Sequence, residues 1–112
     1  MNNLGDYIEA ARVLLQDTIE PYRYSDDDLS LAMTLAFITA YRVRPDMFVR
    51  RTVPTFRGQP KSAPVVVEMG YQEAFLYFIV GQVQLRDAED TRDERATAFR
   101  TSFIAQLLTT GA

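Results

Sequence analysis

All five prolines of this chain fall between residues 21 and 64. Proline fixes φ and has no N–H to donate, so a regular helix stops at each one. Three windows remain for helices: before Pro21, between Pro21 and Pro45, and after Pro64. The stretch 46–68 holds Pro54, Pro60, Pro64 and Gly58 and is expected to be an extended or irregular arm. At 112 residues the chain has material for a single domain.

Each window carries a helical period. In the first, about Asp6 to Asp17, Leu4, Ile8, Ala11 and Leu15 form one stripe, and Asp6 with Glu9 reads as a capping box. In the second, Ser25 is placed as the N-cap, and Asp26, Asp27 and Asp28 face the positive end of the helix dipole. Leu29, Met33, Ala36, Phe37 and Ala40 make its inner stripe. Leu31, Leu35 and Ile38 lie off that stripe, which implies burial on a second side by a large bundle or a neighbouring subunit. Tyr71 to Arg86 is apolar nearly all round and is expected to be the most buried helix, with Gly81 admitting a close neighbour. Thr91 to Thr109 closes the set, with Ala96, Phe99, Phe103, Ala105 and Leu107 facing inward and Gly111 as a cap. Strand-forming residues flank Gly58-Gln59-Pro60, so the arm is read as irregular or as a loose β-hairpin. The expected fold is all-α: a four-helix bundle-like domain over 1–112, with a basic arm at 46–68 between helices 2 and 3.

Composition narrows the chemistry. The chain has no Cys and no His. Zinc fingers, disulfide scaffolds, thiol nucleophiles and imidazole catalysis are excluded. Asp26, Asp27 and Asp28 are consecutive and point in different directions on a helix. Asp87, Glu89, Asp90, Asp93 and Glu94 lack the alternation and glycine turn of a calcium loop. No Gly-rich phosphate loop is present. The expectation is a protein that is not an enzyme and takes no metal or cofactor. Met1 to Tyr7 shows no targeting pattern, and the longest apolar run, Ala74 to Gly81, is too short to span a bilayer core of about 30 Å. A cytoplasm-like compartment and no membrane are expected.

The net charge of −3 is unevenly spread. Residues 42–61 carry +5, from Arg42, Arg44, Arg50, Arg51, Arg57 and Lys61 against Asp46, and the remainder carries −8. Such an arm can be a solvated loop balancing its own bundle, or it can reach a partner. Acidic proteins, including copies of this chain, suit it better than DNA does. The partner-binding candidates are therefore Arg42, Arg44, Arg50, Arg51, Phe56, Arg57 and Lys61.

The segment from Asp6 to Phe48 also carries a resemblance. Leu14-Leu15-x-Asp17 is followed by Pro21-Tyr22-Arg23-Tyr24-Ser25-Asp26, then a Leu-rich helix, then Arg44-Pro45-Asp46-Met47-Phe48. This resembles the head–tail adaptor (connector) proteins of tailed bacteriophages, over 43 of 112 residues. The resemblance implies a structural virion protein forming a ring of about twelve copies. The ring would sit beneath the portal protein and receive the tail or tail-completion proteins. Genome DNA would pass through the lumen without specific binding. It implies a location at the head–tail junction, with host cytoplasm during assembly. Pro21, Tyr22, Arg23, Tyr24, Ser25 and Asp26, with Pro45 and Phe48, are its structural corners. The rival expectation is a small helical regulator, antitoxin-like or anti-repressor, whose arm binds a single partner.

Overall fold

The computed structural model describes residues 1–48, 53–56, 58–87, 98 and 101–108. The fold is all-helical, with no strand among the described residues. Three helices have defined bounds: α1 (Leu4–Leu15), α2 (Asp26–Val43) and α3 (Gln72–Asp87). A fourth, α4, is helical over 101–108. Short 3-10 turns follow α2 at Pro45–Phe48 and precede α3 at Met69–Tyr71. The body measures 39 × 34 × 20 Å, a slab about two helices thick.

The α2 stripe lies as its spacing requires. Leu29, Met33, Ala36, Phe37 and Ala40 are all buried. Ser25 caps α2, its Oγ accepting from the Asp28 N–H at 3.0 Å. The α1 cap differs from expectation. Asn3 is the N-cap and Asp6 is the third helical residue, so the capping box pairs Asn3 with Asp6 rather than Asp6 with Glu9. The stripe begins at Leu4, and a cap must precede its helix, so the helix starts earlier than about Asp6. Gln16 at φ 56° closes α1.

α3 packs against both α1 and α2, with Phe75, Phe78, Ile79 and Val83 inside. Phe75 meets Phe37 at 4.9 Å and Phe103 at 5.3 Å between ring centroids, tying α2, α3 and α4 into one core. Phe103 and Leu107 of α4 are buried, but Ala105 is exposed. Two residues along a helix is about 200° around it, so Ala105 cannot share a face with Phe103. Ala96, Phe99 and Gly111 lie outside the described residues.

The arm does not project over its described length. Phe56 is 3% exposed, and its ring sits 5.3 Å from Phe37. Its N–H donates to Thr34 Oγ1 at 2.9 Å, and that hydroxyl donates in turn to the Ser30 carbonyl. Farther on, the chain lies across the start of α1. Leu4 N–H donates to Ala63 O at 2.9 Å, Gly5 N–H to Lys61 O at 2.8 Å, and Val65 N–H to Asn2 O at 3.1 Å. A Cβ on Gly5 would stand 3.1 Å from Lys61 Cβ and 3.2 Å from Lys61 O, so glycine permits this approach. Gly58, at φ 81°, supplies the left-handed turn. Of the hairpin, the described residues hold only an isolated bridge between Asn3 and Pro64, to α1's leading residues rather than within the arm. Six buried or half-buried apolar residues among the described residues of the arm (Phe48, Val53, Phe56, Ala63, Val65 and Val67) explain the return, since leaving them in water would cost more than bending the chain.

Candidate functional site

The residues of the motif gather at the two ends of α2, each around one arginine. At the N-terminal end the centre is Arg12, which reaches across from α1. Its Nη1 donates to Asp17 Oδ2 and to the Tyr24 carbonyl, both at 2.9 Å. Its Nη2 donates to Asp26 Oδ1 at 2.6 Å. The guanidinium lies 3.8 Å over the Tyr22 ring. Asp17 completes the lock by accepting the N–H groups of Arg23 and Tyr24 at 2.7 and 3.0 Å. Arg12 is only 5% and Asp17 7% exposed. The Glu20–Pro21 peptide between the helices is cis.

The charges answer one another. Burial alone would raise the Asp17 carboxyl, but the two backbone N–H groups and Arg12 outweigh it and hold it below the ordinary value of 3.8. Asp26 is lowered chiefly by its bond from Arg12, with Lys61 assisting at 3.5 Å. Tyr7 of α1 is fully buried, its hydroxyl has no hydrogen-bond partner among the described residues, and burial pushes it up to about 12.

At the other end of α2 the centre is Arg44. Its Nε and Nη2 grip Asp46, at 3.0 and 2.8 Å, while Nη1 donates to Tyr71 Oη at 3.2 Å and to the Leu107 carbonyl at 2.8 Å. Asp46 is held below its ordinary range chiefly by Arg44. Pro45 opens the 3-10 turn, and Phe48 inserts beneath it, 6.0 Å from Phe37 and 5.7 Å from Tyr41.

Several expected site residues therefore take other places. Phe56 belongs to the core and is not a partner-facing side chain. Arg44 is engaged within the chain, bracing α2 to Tyr71 and α4. Lys61 is exposed and faces Asp26 of its own chain. Arg42 is exposed on the last turn of α2. Arg50, Arg51 and Arg57 lie outside the described residues. Of the corner residues, Tyr24 is buried, Tyr22 is 41% exposed, and Arg23 stands 5.7 Å from the Tyr24 ring. Arg12 was legible only indirectly. It falls four residues after Ile8, on the apolar stripe of α1, and a cation there signals a buried acid partner.

Two concavities accompany the locks. An open groove of about 710 Å³ runs along α1, lined among others by Asp6, Glu9, Ala10, Val13, Thr18 and Tyr22. A cleft of about 230 Å³ lies between α3 and α4, over Ala74, Tyr77, Phe78, Ser102, Phe103 and Gln106. Among the described residues no group of three or more acidic side chains is placed to hold a metal ion, and no helix is long and apolar enough to cross a membrane. Compared with known proteins, the chain matches no family model, no curated protein and no solved structure.

Proposed function

We propose that the protein is a structural adaptor of a tailed-phage virion, a collar subunit that joins the portal vertex to the tail or tail-completion proteins. One observation carries this reading. The residues on which the resemblance rests are those that brace α2 at both ends: Asp17, Tyr22, Tyr24 and Asp26 around Arg12, then Arg44, Asp46 and Phe48. A motif used to hold two helices at a set angle suits a part whose work is shape. A thin slab of 20 Å suits a unit packed side by side in a ring. With neither His nor Cys, the chain is assigned no catalytic step.

In this reading copies of the chain close head to tail into a ring of about twelve. One rim meets the portal and the other the tail. DNA passes through the lumen, and a net charge of −3 keeps the collar from gripping it. The protein is found at the head–tail junction, and in host cytoplasm before assembly. Electron microscopy of the protein mixed with its portal tests the idea. A closed ring seated on the portal is the expected image. A chain that stays monomeric beside the portal and is missing from finished particles sinks the proposal and favours a single-partner regulator.

A further inference from the structure

The extended stretch around Val66 has two edges, and the chain itself uses only one of them. On the inner edge Ala63 O accepts the Leu4 N–H, and the Val65 N–H donates to Asn2 O. Gln72 carries that edge on, its side-chain amide donating to both Met1 O and Val67 O, at 3.3 and 3.2 Å. Backbone groups of an extended chain alternate between its two sides. Pro64 O, the N–H and carbonyl of Val66, and the Glu68 N–H therefore face the other way. None of these has a hydrogen-bond partner among the described residues. The side chains alternate too: Val65 is buried, Val66 is 65% exposed and Val67 is half-buried. The outer edge is thus open, with Val66 and the 87% exposed Met69 beside it.

This edge matches itself. When two copies meet antiparallel with Val66 opposite Val66, each Val66 N–H donates to the other's carbonyl. Pro64 then stands opposite Glu68, and each Glu68 N–H reaches a Pro64 carbonyl. The remaining bond of such a ladder would run from an N–H at position 64 to the Glu68 carbonyl. Pro64 has no N–H, and the Glu68 carbonyl already accepts from Tyr71 at 2.9 Å. The missing donor and the occupied acceptor coincide, so every outer group finds a partner. A shift by two residues would set Pro64 opposite Val66 and leave the Val66 carbonyl without a donor. The matched register also keeps the two Glu68 carboxylates apart. Each comes instead to the end of the edge where Lys61 of the other copy stands, its side chain 62% exposed.

We propose that stretch 64–68 is a self-pairing edge, to which a second copy of this chain adds its own 64–68 antiparallel, with Val66 on the two-fold axis. The contact is isologous and closes on two copies. It goes beyond the collar reading and does not depend on it. So short a ladder buries less than the roughly 1,200 Å² of a stable complex, so the dimer exchanges and its population grows with concentration.

The chain lacks cysteine, so a single introduced one reports on the axis. Hydrogen-bonded partners in an antiparallel pair have Cα atoms about 5.5 Å apart, within reach of a disulfide. Val66→Cys should therefore oxidise to a linked dimer at least about tenfold faster than Met69→Cys. Met69 is the more exposed of the two, but the register holds it up to roughly 20 Å from its copy. Val66→Pro removes the donor on the axis and keeps an extended backbone. It should leave the urea midpoint unchanged and abolish self-association in analytical ultracentrifugation. Equal linking at positions 66 and 69, or a Val66→Pro chain that still dimerises, overturns the proposal. So does a Val66→Cys chain that links to the portal protein but not to itself, which would make the edge a site for a foreign strand.

Discussion

Arg12 and Arg44 perform the same task at opposite ends of α2, yet in different surroundings. Each bonds a carboxylate and a backbone carbonyl. The Arg12 and Asp17 side chains are 6% and 7% exposed, whereas those of Arg44 and Asp46 are 21% and 62% exposed. Their reach is reversed. Arg12 joins residues within fourteen positions of itself, while Arg44 reaches Leu107, 63 residues on. The inner lock is therefore costly to break but local, and the outer one is cheaper but spans the fold. Burial sets what a guanidinium contact costs to lose, and sequence distance sets how much structure moves with it.

The largest effect expected is from Arg12→Met. It leaves Asp17 buried beside two N–H groups without its cation, a loss of about 3–5 kcal/mol. That is a large part of the 5–15 kcal/mol typical of a domain. Urea unfolding checks it, and a loss under about 1 kcal/mol would remove the distinction between the locks. Adding Asp17→Asn to Arg12→Met should recover part of the loss, because the orphaned charge is gone. Arg44→Met is expected to shift the urea midpoint by less than half as much, since Asp46 stays in water. Its signature lies elsewhere: faster amide hydrogen exchange across residues 101–108, which Arg12→Met should match only at the level of global unfolding.

Acid separates the locks by size, with the same sign at both. Asp17 and Asp26 are both held below 3.8 when folded. Unfolded carboxylates near 3.8 bind protons first as pH falls, so this stability is complete above that value and is lost as pH drops through the lowered folded values. Stability should thus rise with pH across the acid range. Arg12→Met removes a cation from two carboxylates and should flatten that rise more than Arg44→Met, which touches only Asp46. Urea midpoints measured from about pH 5 to about pH 2 decide it, and equal flattening would contradict the comparison.

The inner stripe of α2 was legible because burial of a helix face repeats every three to four residues, and Leu29 through Ala40 keep that period. The Ser25 cap was legible because its chemistry is local. The Arg12 lock was not, since it depends on a corner that brings positions 12, 17, 24 and 26 together. The arm misled for a related reason. Its charges and prolines suggest solvent, but Phe56 is anchored by Thr34, a mid-helix hydroxyl with no signal of its own in the sequence. Six half-buried or buried apolar residues outweigh the arm's charge, and a count of cations does not register them.

The smallest effect expected tests that last point. Lys61 faces Asp26 at 3.5 Å with both side chains largely in water, 62% and 48% exposed. Exposed pairs of this kind contribute little and fade with salt. The segment around Lys61 is held instead by the backbone bonds from Leu4, Gly5 and Val65. Lys61→Ala should therefore leave the urea midpoint unchanged and insensitive to added salt. Gly5→Ala, which forces the segment off α1 by pressing on Lys61 O, should lower it. A salt-dependent loss from Lys61→Ala would mean that charge fastens the arm at home. Its cations would then be spent within the chain rather than kept for a neighbour.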